Sequence, residues 1–186
     1  MTKEKVLDLG VGREKEYFED DKHNIFRVGA DIFFHRPESF RYFQLENRTL
    51  LDARQNLPFD SDSFDRVQMF FPDNSLLERV CNFEHIKFKT SMTIWSELRR
   101  VLSAEGVVEV FLDEEKKTPY SGDMHDENNN RRLIWKPSVR AQEAANEQGF
   151  KTRLSMLNGE EKRRLKNCTA LVDEKYTNVV LLTAYA

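Results

Sequence analysis

The chain has 186 residues, 39 % hydrophobic and 33 % charged, enough for one domain with a full core and too few for two ordinary ones. An aromatic content of 11 % excludes a disordered chain, and a net charge of −3 excludes a general attraction to nucleic acid. No apolar run approaches the roughly 20 residues of a membrane-spanning helix. Cys81 and Cys168 stand alone, without the spacing of a disulfide framework or a zinc site, and the first ten residues lack a secretory cleavage signal. The expectation is a soluble cytoplasmic protein, a single domain over 1–186, with no membrane contact and no bound metal.

In chain order, the apolar run from Lys5 to Leu9 predicts a buried strand that enters the tight turn Gly10-Val11-Gly12. Arg13 to Lys22 has helical spacing with Tyr17 and Phe18 inward, and Ile25 to Ile32 predicts a second strand with Asp31 at its end. Pro37 opens a helix through Phe40, Phe43 and Gln44. Thr49 to Ala53 is a third strand ending at Asp52, and Asn56 to Ser63, rich in Asp, Ser and Pro, is a loop. Asp65 to Phe71 is the fourth strand, stopped by Pro72. Thr93 to Leu102 carries the strongest helical pattern, with Ile94, Trp95, Leu98, Val101 and Leu102 on one side and an end before Gly106. Val107 to Leu112 is the fifth strand, and the polar run Asp113 to Arg132 predicts a long loop. Ser138 caps a helix from Val139 to Gln148 that Gly149 ends. Phe150 to Leu157 and Thr177 to Tyr185 are the last two strands, separated by a charged helix near Glu160 to Lys166 and an extra strand at Thr169 to Val172. Strands that alternate with helices give the α/β class and a mainly parallel, seven-stranded sheet flanked by helices.

Charge and aromatic residues are unevenly spread. Glu105 to Glu127 holds eight acids against two lysines, and Lys151 to Lys166 six bases against two acids. The two stretches read as complementary solvated faces, or the basic one as a contact for RNA or an acidic partner; it lacks the interleaved aromatics of a single-strand platform. Twelve of fourteen phenylalanines precede residue 90, more than a surface carries, and Phe70-Phe71 fall where a strand runs out.

In an open α/β sheet, ligands bind beyond the carboxyl ends of the strands where strand order reverses. Three such ends suit an adenosyl ligand. Gly10 and Gly12 allow close backbone approach, Asp31 can accept hydrogen bonds from two vicinal hydroxyls, and Asp52 from an exocyclic amine beside the Ala53 amide. Lys15 stands where a dinucleotide fingerprint places its last glycine, and Glu14 would repel a phosphate, so the turn is not of the pyrophosphate type.

Four blocks in this order, VLDLGVG (Val6 to Gly12), GADI (Gly29 to Ile32), DARQNLPFDSDSFDRV (Asp52 to Val67) and ELRRVLSAEGVVEV (Glu97 to Val110), resemble the motifs of class I S-adenosylmethionine-dependent methyltransferases, which have a Rossmann-like fold. The resemblance covers about Lys5 to Leu112 and implies S-adenosylmethionine as cofactor. By that resemblance Gly10 and Gly12 pass its methionine portion, and Asp8 buttresses the turn and faces the amino group. Asp31 holds the ribose, Asp52 and Ala53 read the adenine, and Phe70 lines the pocket behind the sulfonium. Glu14 replaces the usual third glycine, Ser103-Ala104-Glu105-Gly106 replaces the usual lysine-proline-glycine turn, and the first strand starts about five residues in, without the usual N-terminal cap helices. The segments Asp113 to Arg132 and Leu76 to Lys89 would form the lid, or a protein partner or second copy would supply it, or the site is open and the activity lost.

The implied enzyme is a methyltransferase that transfers directly from the sulfonium to a small-molecule or macromolecular acceptor. Asp73 in Phe70-Phe71-Pro72-Asp73-Asn74 either orients the acceptor, as the tentative catalytic residue, or simply ends the strand in a turn. A noncatalytic partner subunit with a methyltransferase fold is the competing reading, and methylation of RNA of the transfer-RNA type is a third.

Overall fold

Short apolar runs bounded by polar turns become strands, and the longest run with apolar residues at helical spacing becomes a helix. The computed structural model of the chain describes residues 3–9, 25–31, 48–50, 56–70, 72, 91–114, 124–125, 132–133, 137–161 and 179–186. Its elements are β1 (Glu4–Leu9), β2 (Ile25–Asp31), β3 (Arg48–Leu50), β4 (Phe64–Phe70), α1 (Ser91–Val101), β5 (Leu102–Asp113), β6 (Met124–His125), β7 (Arg132–Leu133), α2 (Pro137–Glu147), β8 (Lys151–Met156) and β9 (Val179–Tyr185). The helices expected from Arg13 and Pro37, the strand at Thr169 to Val172 and the whole Leu76 to Lys89 segment lie outside the described residues.

Seven strands form one sheet in the order β3-β2-β1-β4-β5-β9-β8. β9 runs antiparallel to β5 and β8, and the other pairings are parallel. The chain builds outward from β1 to β3, then returns to the middle at β4, so strand order reverses between β1 and β4.

The register gives the sheet two unlike faces. On one, Leu7 lies level with Val28, Val67, Val108 and Ala184, and the next row up is Leu9, Ala30, Met69, Val110, Leu182 and Leu154. Ile94, Trp95, Leu98 and Val101 of α1 and Ala141, Ala144 and Ala145 of α2 join these rows in one buried core. Alanines let α2 approach closely. Phe150 meets Trp95 edge-on at 5.6 Å, and Arg99 lies over the Phe150 ring while donating to the Gly149 carbonyl at 3.1 Å. Gly149, at φ 82°, is the left-handed residue that ends α2.

Glu97 and Arg100 bolt the loop before β4 onto α1. Arg100 donates to the carbonyls of Leu57 at 2.8 Å and Phe59 at 2.7 Å and to Glu97 Oε2 at 2.7 Å, and the same oxygen accepts from the Leu57 amide at 2.9 Å. The hydrogen bond from Arg100, helped by the Leu57 amide, holds the Glu97 carboxyl below its usual range against the opposing effect of burial.

Three expectations are corrected. The segment expected as a turn before the fifth strand is already strand: β5 starts at Leu102, opposite Phe64, and resumes with Val107 opposite Arg66. Residues 103–106 therefore face Asp65 alone, a bulge that takes up the turn residues within the strand. Second, α2 starts at Pro137, so Ser138 sits inside its first turn. Proline loses no helical bond there, and Glu114 Oε1 caps the Ser138 amide instead at 3.3 Å. Third, the long polar loop contains a two-stranded ribbon, with Met124 opposite Leu133 and His125 opposite Arg132.

Two outcomes follow. A Cβ on Gly106 would lie 2.8 Å from Leu102 Cδ2 and 2.9 Å from the Ser103 carbonyl oxygen. Leu102 is buried and the other contact is backbone, so Gly106→Ala should destabilise by about 1–3 kcal/mol in urea unfolding. Glu97, with its folded value depressed, stabilises the fold above its ordinary value of 4.5, and that contribution is lost as pH falls through the lower folded value. Unfolding measured between pH 7 and 3 should show a shallower acid loss in Glu97→Gln than in the parent.

Candidate functional site

Where strand order reverses, the face opposite the helices is polar. Asp8, one residue before the end of β1, is 1 % exposed and lies level with Gly29, Gln68 and, through β4, Glu109. Such a carboxylate needs a cation inside the sheet. Arg27 on β2 supplies it: its Nη1 donates to Asp8 Oδ2 at 2.7 Å, to Oδ1 at 2.9 Å and to Gln68 Oε1 at 3.1 Å. Gln68, 3 % exposed, then donates through Nε2 to Glu109 Oε2 at 2.7 Å. Arg66 closes the layer below, reaching Glu4 at 2.8 Å and Glu109 at 3.5 Å. A line of charge-assisted bonds thus crosses β2, β1, β4 and β5. Burial pushes the Asp8 carboxyl above the ordinary carboxylate range, and the charge and hydrogen bonds of Arg27 pull it partly back.

Side chains on one face of a strand recur every second residue. One step toward the carboxyl edge from Gln68 and Glu109 therefore stand Phe70 and Phe111, level with each other. Their rings are stacked with centroids 4.7 Å apart and 2° between planes, and each residue is 6 % exposed. The charged layer thus lies one step below the stacked rings at the β4–β5 end of the edge.

Of the residues expected at the site, Asp8, Asp31 and Phe70 lie at the carboxyl ends of β1, β2 and β4. Asp31 is the last residue of β2, level with Leu50 at the end of β3. Gly10, Gly12, Asp52, Ala53 and Asp73 lie outside the described residues. Sequence reasoning missed Arg27, Gln68, Glu109 and Phe111. A signal for Gln68 and Glu109 was present: a sheet buried on both faces reads as continuous apolar runs, whereas β4 and β5 alternate Arg66-Val67-Gln68-Met69 and Val108-Glu109-Val110. At this edge a carboxylate residue, Asp31, ends β2, and the stacked Phe70 and Phe111 stand at β4 and β5.

No family model and no curated protein sequence matches the chain. Solved structures match over its whole length. A SAM-dependent methyltransferase from Aquifex aeolicus has a TM-score of 0.58 at 13 % identity, the match covering 100 % of this chain and 84 % of that one. An S-adenosylmethionine-dependent methyltransferase from Mesorhizobium loti has 0.58 at 14 % identity, over 100 % and 92 %. A chain from the Haloferax volcanii complex that contains the Trm112 methyltransferase activator has 0.58 at 16 % identity, over 100 % and 84 %. At such identities the likeness is one of fold, and the fold is the Rossmann-like one of the class I S-adenosylmethionine-dependent methyltransferases.

The ion pair makes a specific prediction. Arg27→Met leaves Asp8 buried without its cation and should cost about 3–5 kcal/mol at pH 7.5 by urea unfolding. With its folded value raised further, Asp8 takes up a proton in the folded state first, so the deficit should shrink at about pH 5.5.

Proposed function

We propose that the chain binds S-adenosylmethionine across the carboxyl ends of β1, β2 and β3 and transfers its methyl group to an acceptor held toward β4 and β5. The observation that carries this reading is the position of Asp31, at the end of the strand beside β1 and next to the reversal, within the fold of S-adenosylmethionine-dependent methyltransferases. The donor set suits the ligand. Asp31 accepts from the ribose hydroxyls, Asp52 from the adenine amine with the Ala53 amide on a ring nitrogen, and Gly10 and Gly12 admit the methionine portion against bare backbone. Phe70 offers a ring face to a cation, and Asp8 supports the turn from within the sheet.

When bound, S-adenosylmethionine supplies a methyl group on a sulfonium, which a lone pair of the acceptor takes while the carbon–sulfur bond breaks and a neutral thioether leaves. The residues of this chain hold the two reactants in line, and such positioning supplies most of the acceleration for a direct displacement. Asp73, following β4, orients the acceptor and takes its proton.

A second reading has one observation in its favour, the similarity to a chain of a complex that contains a methyltransferase activator. In that reading a protein partner covers the carboxyl edge of the sheet, and the chain works only in its company.

Calorimetric titration with S-adenosylmethionine and with S-adenosylhomocysteine tests the proposal. Asp31→Ala should weaken both about tenfold, or ~1.4 kcal/mol, with an unchanged unfolding midpoint. Binding then justifies a labelled-methyl screen of small-molecule, protein and RNA acceptors. Absence of binding by folded protein would overturn the cofactor reading and direct the search to a partner.

A further inference from the structure

The cofactor site proposed above has a support that its motif does not specify. Asp8 stands two residues before Gly10, where a carboxylate can either face a ligand's amino group or turn into the sheet. In this chain it turns into the sheet. Both of its oxygens accept from one nitrogen of Arg27, at 2.7 and 2.9 Å, in a position 1 % exposed. That nitrogen also reaches Gln68, and Gln68 reaches Glu109, so the carboxylate is fixed from β2 on one side and from β4 and β5 on the other. Gln68 and Glu109 each lie one same-face step before a residue of the carboxyl edge, Phe70 and Phe111, and Asp8 is the last but one residue of β1.

We propose that Arg27 is a positioning residue for the cofactor. By holding Asp8 inside the sheet and tying it through Gln68 to Glu109, it sets the backbone of β1 that feeds the glycine turn. The Asp8 carboxylate is then turned away from the ligand's amino group. This inference rests on the cofactor reading and refines it, because it moves Asp8 from ligand contact to support and adds Arg27, Gln68 and Glu109 beneath the site.

The two roles of Asp8 separate in a double-mutant cycle with calorimetric titration of S-adenosylmethionine, run well below each variant's unfolding midpoint. Asp8→Asn takes the carboxylate charge away from the half-buried Arg27, and Arg27→Gln leaves the buried Asp8 anion without that guanidinium. Each single change should weaken binding by about tenfold or more, since the layer under the turn must rearrange to shed a charge. Arg27→Gln with Asp8→Asn removes both charges and keeps a hydrogen-bonding pair, so its affinity should return to within about threefold of the parent. Arg27→Lys, which keeps the charge in case the glutamine variant does not fold, should fall between the parent and Arg27→Gln.

Three results would overturn the inference. If Asp8 contacted the amino group, the double variant would bind as weakly as Asp8→Asn alone. If the layer served stability only, the midpoints would fall while all affinities stayed at the parent's value. If the parent itself failed to bind S-adenosylmethionine, the cofactor reading would fail and this inference with it. The first two leave that reading intact.

Discussion

A carboxylate in the middle of a buried strand must be neutralised where it stands, because an isolated charge in a low-dielectric interior costs several kcal/mol or more. Asp8 is such a group, and its neutralisation fixes much else. The cation has to come from the neighbouring strand at the right height, which makes Arg27 part of the definition of β2. The same guanidinium nitrogen that serves both carboxylate oxygens also reaches Gln68 Oε1, so its two hydrogens are shared among three acceptors. Gln68 has a donor left over, and Glu109 uses it. Four strands are thereby locked in register by polar atoms on one face, while Val28, Leu7, Val67 and Val108 lock the same four by packing on the other.

The two faces have different tolerances. Apolar rows against α1 and α2 can exchange one aliphatic side chain for another of similar volume at modest cost. The polar face is less tolerant, because removing Arg27 leaves the buried Asp8 carboxylate without the guanidinium and removing Glu109 takes the acceptor from the Gln68 amide. A polar layer is therefore a poor source of net stability and a good source of register. Register matters most at the carboxyl edge, where a one-residue slip would carry Phe70 and Phe111 to the opposite face.

The sequence made strands β1, β2 and β4 legible to within about a residue, and with them the reversal at which the candidate site lies, because their apolar runs end in Gly, Asp and Pro. It also made α1 legible, through Ile94, Trp95, Leu98 and Val101. It did not reveal the bulge opposite Asp65, since a turn-like run and a bulge use the same small and polar residues, and only the pairing partner distinguishes them. Nor did it reveal that Glu114, 24 residues upstream, caps Ser138. The polar layer was hidden for the same reason. Arg27 is 19 residues from Asp8, and Gln68 is 41 from both Arg27 and Glu109, so every bond in the layer depends on strand order and register that local patterns do not contain. Asp8 by itself read as a buttress of the turn that faces the amino group, and its Arg27 partner was not in view.

The same layer bears on how an adenosyl site and an acceptor site can share one edge. Its β1–β2 end lies below the strands proposed to hold the adenosyl ligand, and its β4–β5 end lies below the stacked rings of Phe70 and Phe111. The parts are joined by bonds of 2.7–3.1 Å. A shift of β1 would have to break the Asp8–Arg27 bonds or drag Arg27 away from Gln68, and Gln68 is bonded to Glu109 on the strand that carries Phe111. Two states of such a layer would differ by whole hydrogen bonds and not by gradual deformation, which is the condition for one site to influence another through a packed structure. Movement confined to β1 would cost at least one buried charge-assisted bond. The carboxyl ends of β1, β2, β4 and β5 are therefore tied to one another by the bonds that neutralise Asp8.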